Sequence, residues 1–284
     1  MFKRNYYYLV AGLPDIVLDQ KKVSLPIGEF KDELRYHLHP DDYSLSELFF
    51  MPHDHSNLLG LLRKNLEEFD ELGKYPRDVL EAEIKESGET ENYIQRIIEA
   101  YKNEEPLIAE RSWEDQITWL YYDFVRSSRN AFVREWFEFE MNVNNIVAAV
   151  NARKHNFSRE NILIGDNEIA QAVKKSTLKD FGISAEFQWM DRLMNIQENE
   201  NLLEREYDMD MLRWDFINDI NTFNYFSIEL ILGYVVKLQM VERWLKLDED
   251  RGRELFRKLL EDLEKSYEFP KEFMINERKR VDQR

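Results

Sequence analysis

No proline occurs between residues 107 and 269 of this 284-residue chain. Proline lacks an amide donor and clashes with the preceding turn, so it breaks helix interiors. The seven prolines stand at 14, 26, 40, 52, 76, 106 and 270, which leaves the middle of the chain free to run long helices. Glycine is sparse there too, at Gly165, Gly182, Gly233 and Gly252.

The apolar periodicity agrees with helices. Tyr93, Ile94, Ile97, Ile98 and Tyr101 recur at helical spacing. Trp113, Ile117, Leu120, Phe124 and Phe132 predict one long helix after Pro106. Leu202, Leu203, Leu212, Phe216 and Ile220 predict another, and Leu255, Phe256, Leu259, Leu260 and Leu263 a late one. Asp166 and Ser184 read as helix N-caps, and Gly182 as the residue after a helix end. Alternating patterns are scarce; Tyr6 to Val10 fits a short strand or a first helical turn equally. The fold class expected is all-α.

Hydrophobic residues at 43% and aromatics at 13% set the chain apart from disordered sequences. The formal net charge of -17 repels phosphate backbones and anionic lipid, which argues against nucleic acid or direct lipid insertion and favours a basic protein surface. The absence of cysteine excludes disulfides and thiolate metal sites and fits a reducing, cytoplasmic compartment. Lys3 and Arg4 precede an apolar run from Tyr6 to Leu13, as in a signal peptide. Pro14 and Asp15 end that run early, so it reads as the first element of the fold. The best apolar stretch, Phe223 to Val236, contains Glu229 and is too short to span a membrane.

Chemical motifs are few. His37 and His39 form one H-x-H pair, His53 and His55 another. A metal site needs a third ligand in a rigid frame, so these read as loop histidines beside Pro40 and Pro52. Asp208 and Asp210 lie two apart, where helical side chains diverge, and read as a solvated acidic face. No dinucleotide fingerprint, phosphate loop or nucleophile elbow occurs. No cofactor or metal is expected.

One local similarity recurs within the chain. Residues 54–63 read DHSNLLGLLR and residues 142–153 read NVNNIVAAVNAR. Asp54 aligns with Asn142 and Asn57 with Asn145; Arg63 and Arg153 fall near the ends of the two runs. The local reading is a capped helix start, twice; the recurrence points to duplicated helical units.

The stretch 137–165 resembles the central-stalk family of V-type and A-type ATPases that seats the rotor shaft on the membrane ring. Asn142, Asn145, Arg153, Phe157, Ser158 and Glu160 fall on that family's pattern. Asn142 stands where the family usually has Asp. The stretch 226–247 resembles the family's late helix, with Tyr234, Lys237, Glu242 and Arg243 at matching places. The opening YYYLVAGLP and residues 54–63 are similar to a little-characterised bacterial branch encoded beside V-type ATPase genes. Pro14 and Pro26 interrupt the region where the family usually opens with a long helix.

The resemblance implies three related helical units arranged as a funnel, falling here at 1–106, 107–183 and 184–284 with an irregular first third. It implies a non-catalytic rotor component whose partners are the central shaft and the membrane ring, held at the membrane through protein contacts. The residues alone leave open an unrelated acidic scaffold or adaptor, and an enzyme with a carboxylate pair that the sequence does not single out.

Overall fold

The computed structural model describes residues 4–86, 88–156 and 162–247. Helices α1 (Tyr7–Gly12), α2 (Ile27–His37), α3 (Pro40–Glu47), α4 (Met51–Arg63), α5 (Arg77–Lys85) and α6 (Asn92–Lys102) make up the proline-containing third. Then follow α7 (Trp113–Arg126), α8 (Ala131–His155), α9 (Glu168–Lys175), α10 (Met190–Glu198), α11 (Leu202–Ile220) and α12 (Ile228–Lys246). No strand occurs among the described residues, so the fold is all-α. The expected late helix at Leu255–Leu263, and Phe157, Ser158 and Glu160, lie outside the described residues.

Proline sets helix length. Pro40 and Pro52 sit in the first turns of α3 and α4, where the missing amide costs nothing, and Pro26 and Pro76 occupy the N-cap positions of α2 and α5. The proline-free region holds the longest helices, α8 with 25 residues and α11 and α12 with 19 each. Tyr7 to Val10 resolves as helix, in α1, with Tyr6 at its N-cap.

Four local expectations are corrected. The apolar run from Trp113 to Phe132 is two helices, because Ser127 Oγ donates back to Phe124 O (2.6 Å) and Asn130 caps α8 by accepting from Val133 N (3.1 Å). Asn167, one residue after Asp166, caps α9. Ser184 lies in a turn ahead of α10 and donates to Asp180 Oδ2 (2.8 Å). Gly182 has a left-handed φ of 73°, but it sits in that turn region, beyond the end of α9 at Lys175.

A continuous hydrophobic cluster runs from Leu9 to Met240. Helix α8 packs against α7, α9, α10, α11 and α12; its Phe139 stacks on Phe216 of α11 with centroids 3.8 Å apart. Helix α12 buries residues around much of its circumference and also packs on α2 and α3, bringing the two ends of the described chain together. Tyr234 meets Phe30 edge-on (5.2 Å), and Gln239 Nε2 donates to Phe49 O (3.2 Å).

The same seam explains Glu242. Pro26 at the α2 N-cap has no side-chain acceptor, and Glu242 Oε1 supplies one by accepting from Ile27 N (2.5 Å). An orphan amide of a helix start is thereby satisfied from a distant helix. Glu242→Ala is expected to cost about 1 kcal/mol of stability, with Glu242→Gln recovering most of it in urea unfolding.

Candidate functional site

The duplicated sequence pattern builds the same device twice. Asp54 and Asn57 lie on α4, Asn142 and Asn145 within α8, and all four side chains are buried. They are not N-caps; they clamp the loop that follows. Asn57 Nδ2 donates to Asp70 O and its Oδ1 accepts from Asp70 N, both at 2.9 Å. Asn145 makes the same pair with Ile164, both bonds at 2.7 Å. A carboxamide carries donor and acceptor on one plane, so one Asn satisfies both backbone groups of one loop residue.

One helical turn earlier, the second member of each pair holds the loop further on. Asp54 accepts from Lys74 N (2.7 Å) and Tyr75 N (2.9 Å). Asn142 Oδ1 accepts from Asn167 Nδ2 (2.9 Å), and Asn167 caps α9 through Ala170 N (2.8 Å). Each clamp therefore fixes where the next helix begins, α5 in one case and α9 in the other. A glycine fits each clamped loop. A Cβ at Gly73 would collide with the Asp54 carboxylate, and one at Gly165, whose φ is 75°, with Met141 Sδ.

Arg63 and Arg153 also reach across to later segments. Arg63 Nη1 donates to Glu114 Oε1 on α7 (2.5 Å). Arg153 donates to Lys179 O (3.2 Å) and Leu178 O (2.8 Å) and lies 4.3 Å over the Phe181 ring.

Asn57→Ala or Asn145→Ala strips a half-buried loop N–H and C=O of their partners at once. Each is expected to lower stability by about 2 kcal/mol, without rescue by the longer Gln, as read from urea unfolding.

The first clamp forms one wall of a cleft of about 1070 Å³ between α2, α3 and the loop at 68–76. Lys31 Nζ donates to Leu72 O (2.9 Å) and to Gly73 O, and burial pushes its amine below the ordinary lysine value. Burial pushes the Glu47 carboxyl up, against the pull of Lys74 and Lys31. Lys74 Nζ donates to Glu91 Oε1 (2.6 Å), and the Tyr75 hydroxyl donates to the other oxygen; burial and that bond together push the phenol up. Burial lifts Asp54 to about 6, with the Tyr75 and Lys74 amides limiting the rise. The cleft thus places cations and carboxylates side by side, a lining suited to a polar ligand bearing both kinds of group.

His53 and His55 are helical and diverge, correcting the loop reading. His53 Nδ1 meets Asp70 Oδ2 at 2.6 Å, which fastens the clamped loop again. His55 is buried, with Nε2 2.7 Å from Tyr93 OH. His37 ends α2, and His39 caps α3 by accepting from Asp41 N (3.3 Å). No metal-binding group of three His, Cys, Asp or Glu side chains occurs among the described residues.

A family model described as a protein of unknown function, DUF2764, matches residues 3–267. The chain belongs to that family. No curated protein and no solved structure matches it.

The remaining motif residues of this DUF2764 chain lie on α12, whose last residue, Lys246, lines the cleft. Tyr234 OH donates to Pro14 O (3.1 Å). Lys237 Nζ donates to Asn218 Oδ1 (2.5 Å) and lies 4.7 Å over Trp214; burial pulls its amine down to about 8. Arg243 Nη2 donates to Asp210 Oδ2. Asp208 is exposed, but Asp210 is only 2% exposed and accepts from Arg213, Arg243 and Trp244 Nε1 (2.7 Å), correcting the solvated-face reading. Arg213 and Glu140, which complete this network, belong to no motif in the sequence. The available signal is spacing: Asp210 and Arg213 lie between Met209, Leu212, Phe216 and Ile217 on the inward stripe of α11.

Proposed function

We propose that this DUF2764 chain is a non-catalytic coupling component of a V-type ATPase rotor, holding the central shaft against the membrane ring. The observation that carries the reading is the duplicated clamp. Two helices far apart in sequence use one polar-x-x-Asn pair to fix the loop and helix that follow, which supports repeated helical units of the kind the resemblance at 137–165 implies. Such tied loops suit a part that must pass torque without yielding. The net charge of -17 supports assembly onto a basic shaft foot by electrostatic steering. No described helix is long and apolar enough to cross a membrane, in keeping with attachment to the ring through protein contacts.

The test is a pull-down with purified shaft heterodimer and ring, paired with transport assays on a deletion strain. Binding should slow as salt rises, since exposed charges are screened beyond about 10 Å at 0.1 M. Deletion should leave ATP hydrolysis by the soluble sector intact and uncouple it from ion transport. If neither partner binds and transport survives deletion, the coupling role is wrong and the acidic scaffold reading replaces it.

A further inference from the structure

Among the described residues, every exposed Phe, Tyr or Trp belongs to three neighbouring segments: Tyr7 and Tyr8 of α1, Tyr36 of α2, and Phe223, Tyr225 and Phe226 of the α11–α12 turn. Tyr8 and Phe223 are each 84% exposed and Tyr36 83%, so these rings are not ordinary edges of the core. The segments touch. Tyr7 and Phe226 have ring centroids 4.7 Å apart, and Tyr6 N donates to Phe226 O (2.6 Å). Tyr8 lies 6.0 Å from the ring of His37, the neighbour of Tyr36. The Tyr6 hydroxyl donates to buried Asp42, which anchors α1 beneath the rings. The result is an aromatic surface carried on segments that are already tied together, which lowers the backbone ordering that a partner must induce.

Charge narrows the occupant. The exposed charged side chains of residues 4–8, 32–42 and 219–226 are Asp32, Glu33, Asp41 and Asp219 against Arg35, while Asp42 is buried and pairs with Arg4. An acidic rim disfavours anionic lipid headgroups, which attract basic segments. It also disfavours a second copy of a chain with net charge -17. A protein surface with an apolar centre and a basic rim satisfies both features, since aromatic anchors concentrate binding energy while flanking charges orient it. We propose that this aromatic face grips such a basic partner protein; resting on the coupling reading above, that partner is the foot of the rotor shaft.

The experiment uses the full chain carrying Tyr8→Ser, Phe223→Ser and Tyr225→Ser together. A control carries Leu202→Ser and Leu203→Ser, exposed apolar residues on α11 outside the face. Circular dichroism and melting establish that each variant is folded; Tyr8→Phe with Tyr225→Phe keeps the rings as a second test. Binding is measured against purified shaft heterodimer, against phosphatidylglycerol–phosphatidylethanolamine vesicles, and for self-association. The triple variant should lose about a hundredfold in shaft affinity, with the control and the Phe variant unchanged and no vesicle binding or dimer in the wild type. If the wild type holds the shaft and the triple variant holds it equally well, the face is wrong while the coupling reading stands. If the wild type does not bind the shaft, that reading and this occupant both fall. Vesicle binding or dimerisation abolished by the triple change would assign the face to lipid or to a second copy, and overturn the proposal.

Discussion

Arg213→Met is expected to lower the unfolding free energy by about 3–5 kcal/mol, the usual cost of removing one partner from a buried ion pair. Arg213 Nε and Nη2 bind both oxygens of Glu140 at 2.9 Å, joining α11 to α8. Its Nη1 reaches Asp210 Oδ1 at 3.3 Å, and Asp210 is bound in turn by Arg243 and Trp244 of α12. Three long helices therefore converge on one guanidinium whose side chain is 14% exposed. Burial by itself would lower its pKa, but Glu140 and Asp210 hold it above the ordinary arginine value. Met has similar reach and no charge. It leaves Asp210 two donors, but leaves Glu140 half-buried with only Asn144 nearby (3.4 Å). Arg213→Met combined with Glu140→Met removes both charges and should restore at least half of the loss. A double-mutant cycle in urea measures this; a single-variant cost below about 1 kcal/mol would show that the network behaves like a surface pair.

The all-α class is legible in the sequence because helix periodicity is local. The stripes at 93–101 and 202–220 match α6 and α11 directly. The clamps are visible as a repeated string but not as clamps. Asp and Asn near an apolar run look the same whether they cap their own helix or bind a loop, and the partners lie 13 and 19 residues downstream of Asn57 and Asn145. Nothing in local spacing encodes those closures. His53 and His55 depart from the loop reading because proline, a breaker in helix interiors, is tolerated in a first helical turn, where Pro52 stands. Asp210 takes its environment from the apolar residues beside it and not from its D-x-D neighbour. The cleft and the aromatic face join segments remote in sequence, which only tertiary packing reveals.

Asp54 and His55 are adjacent on α4, and acid should act on them in opposite directions. The Asp54 carboxyl is raised by burial to about 6 in the fold, from an ordinary value of 3.8. Between those values the folded chain holds a proton that the unfolded chain has released, so acidification favours the fold. His55 is pushed down to about 3 by burial, from 6.5. Across that window the unfolded chain holds the extra proton, so acidification favours unfolding. With about 1.4 kcal/mol per pKa unit, moving from pH 7 to pH 4 gains about 2 kcal/mol through Asp54 and loses about 3 kcal/mol through His55. The two largely cancel in the wild type. Asp54→Asn removes the compensating group while keeping an acceptor for the Lys74 or Tyr75 amide; it should make the protein more acid-labile than wild type by about 2 kcal/mol. His55→Gln keeps a partner for the Tyr93 hydroxyl without a titrating ring, and should make the protein less acid-labile by about 3 kcal/mol. Urea unfolding at pH 4, 5, 6 and 7 compares the slopes, whatever each substitution does to stability at pH 7. Curves parallel to wild type for either variant would mean that its side chain does not titrate differently in the folded and unfolded chains. Because Asp54 holds the loop that walls the cleft, the same variants separate a loss of clamp geometry, present at every pH, from a loss of charge compensation, present only in acid.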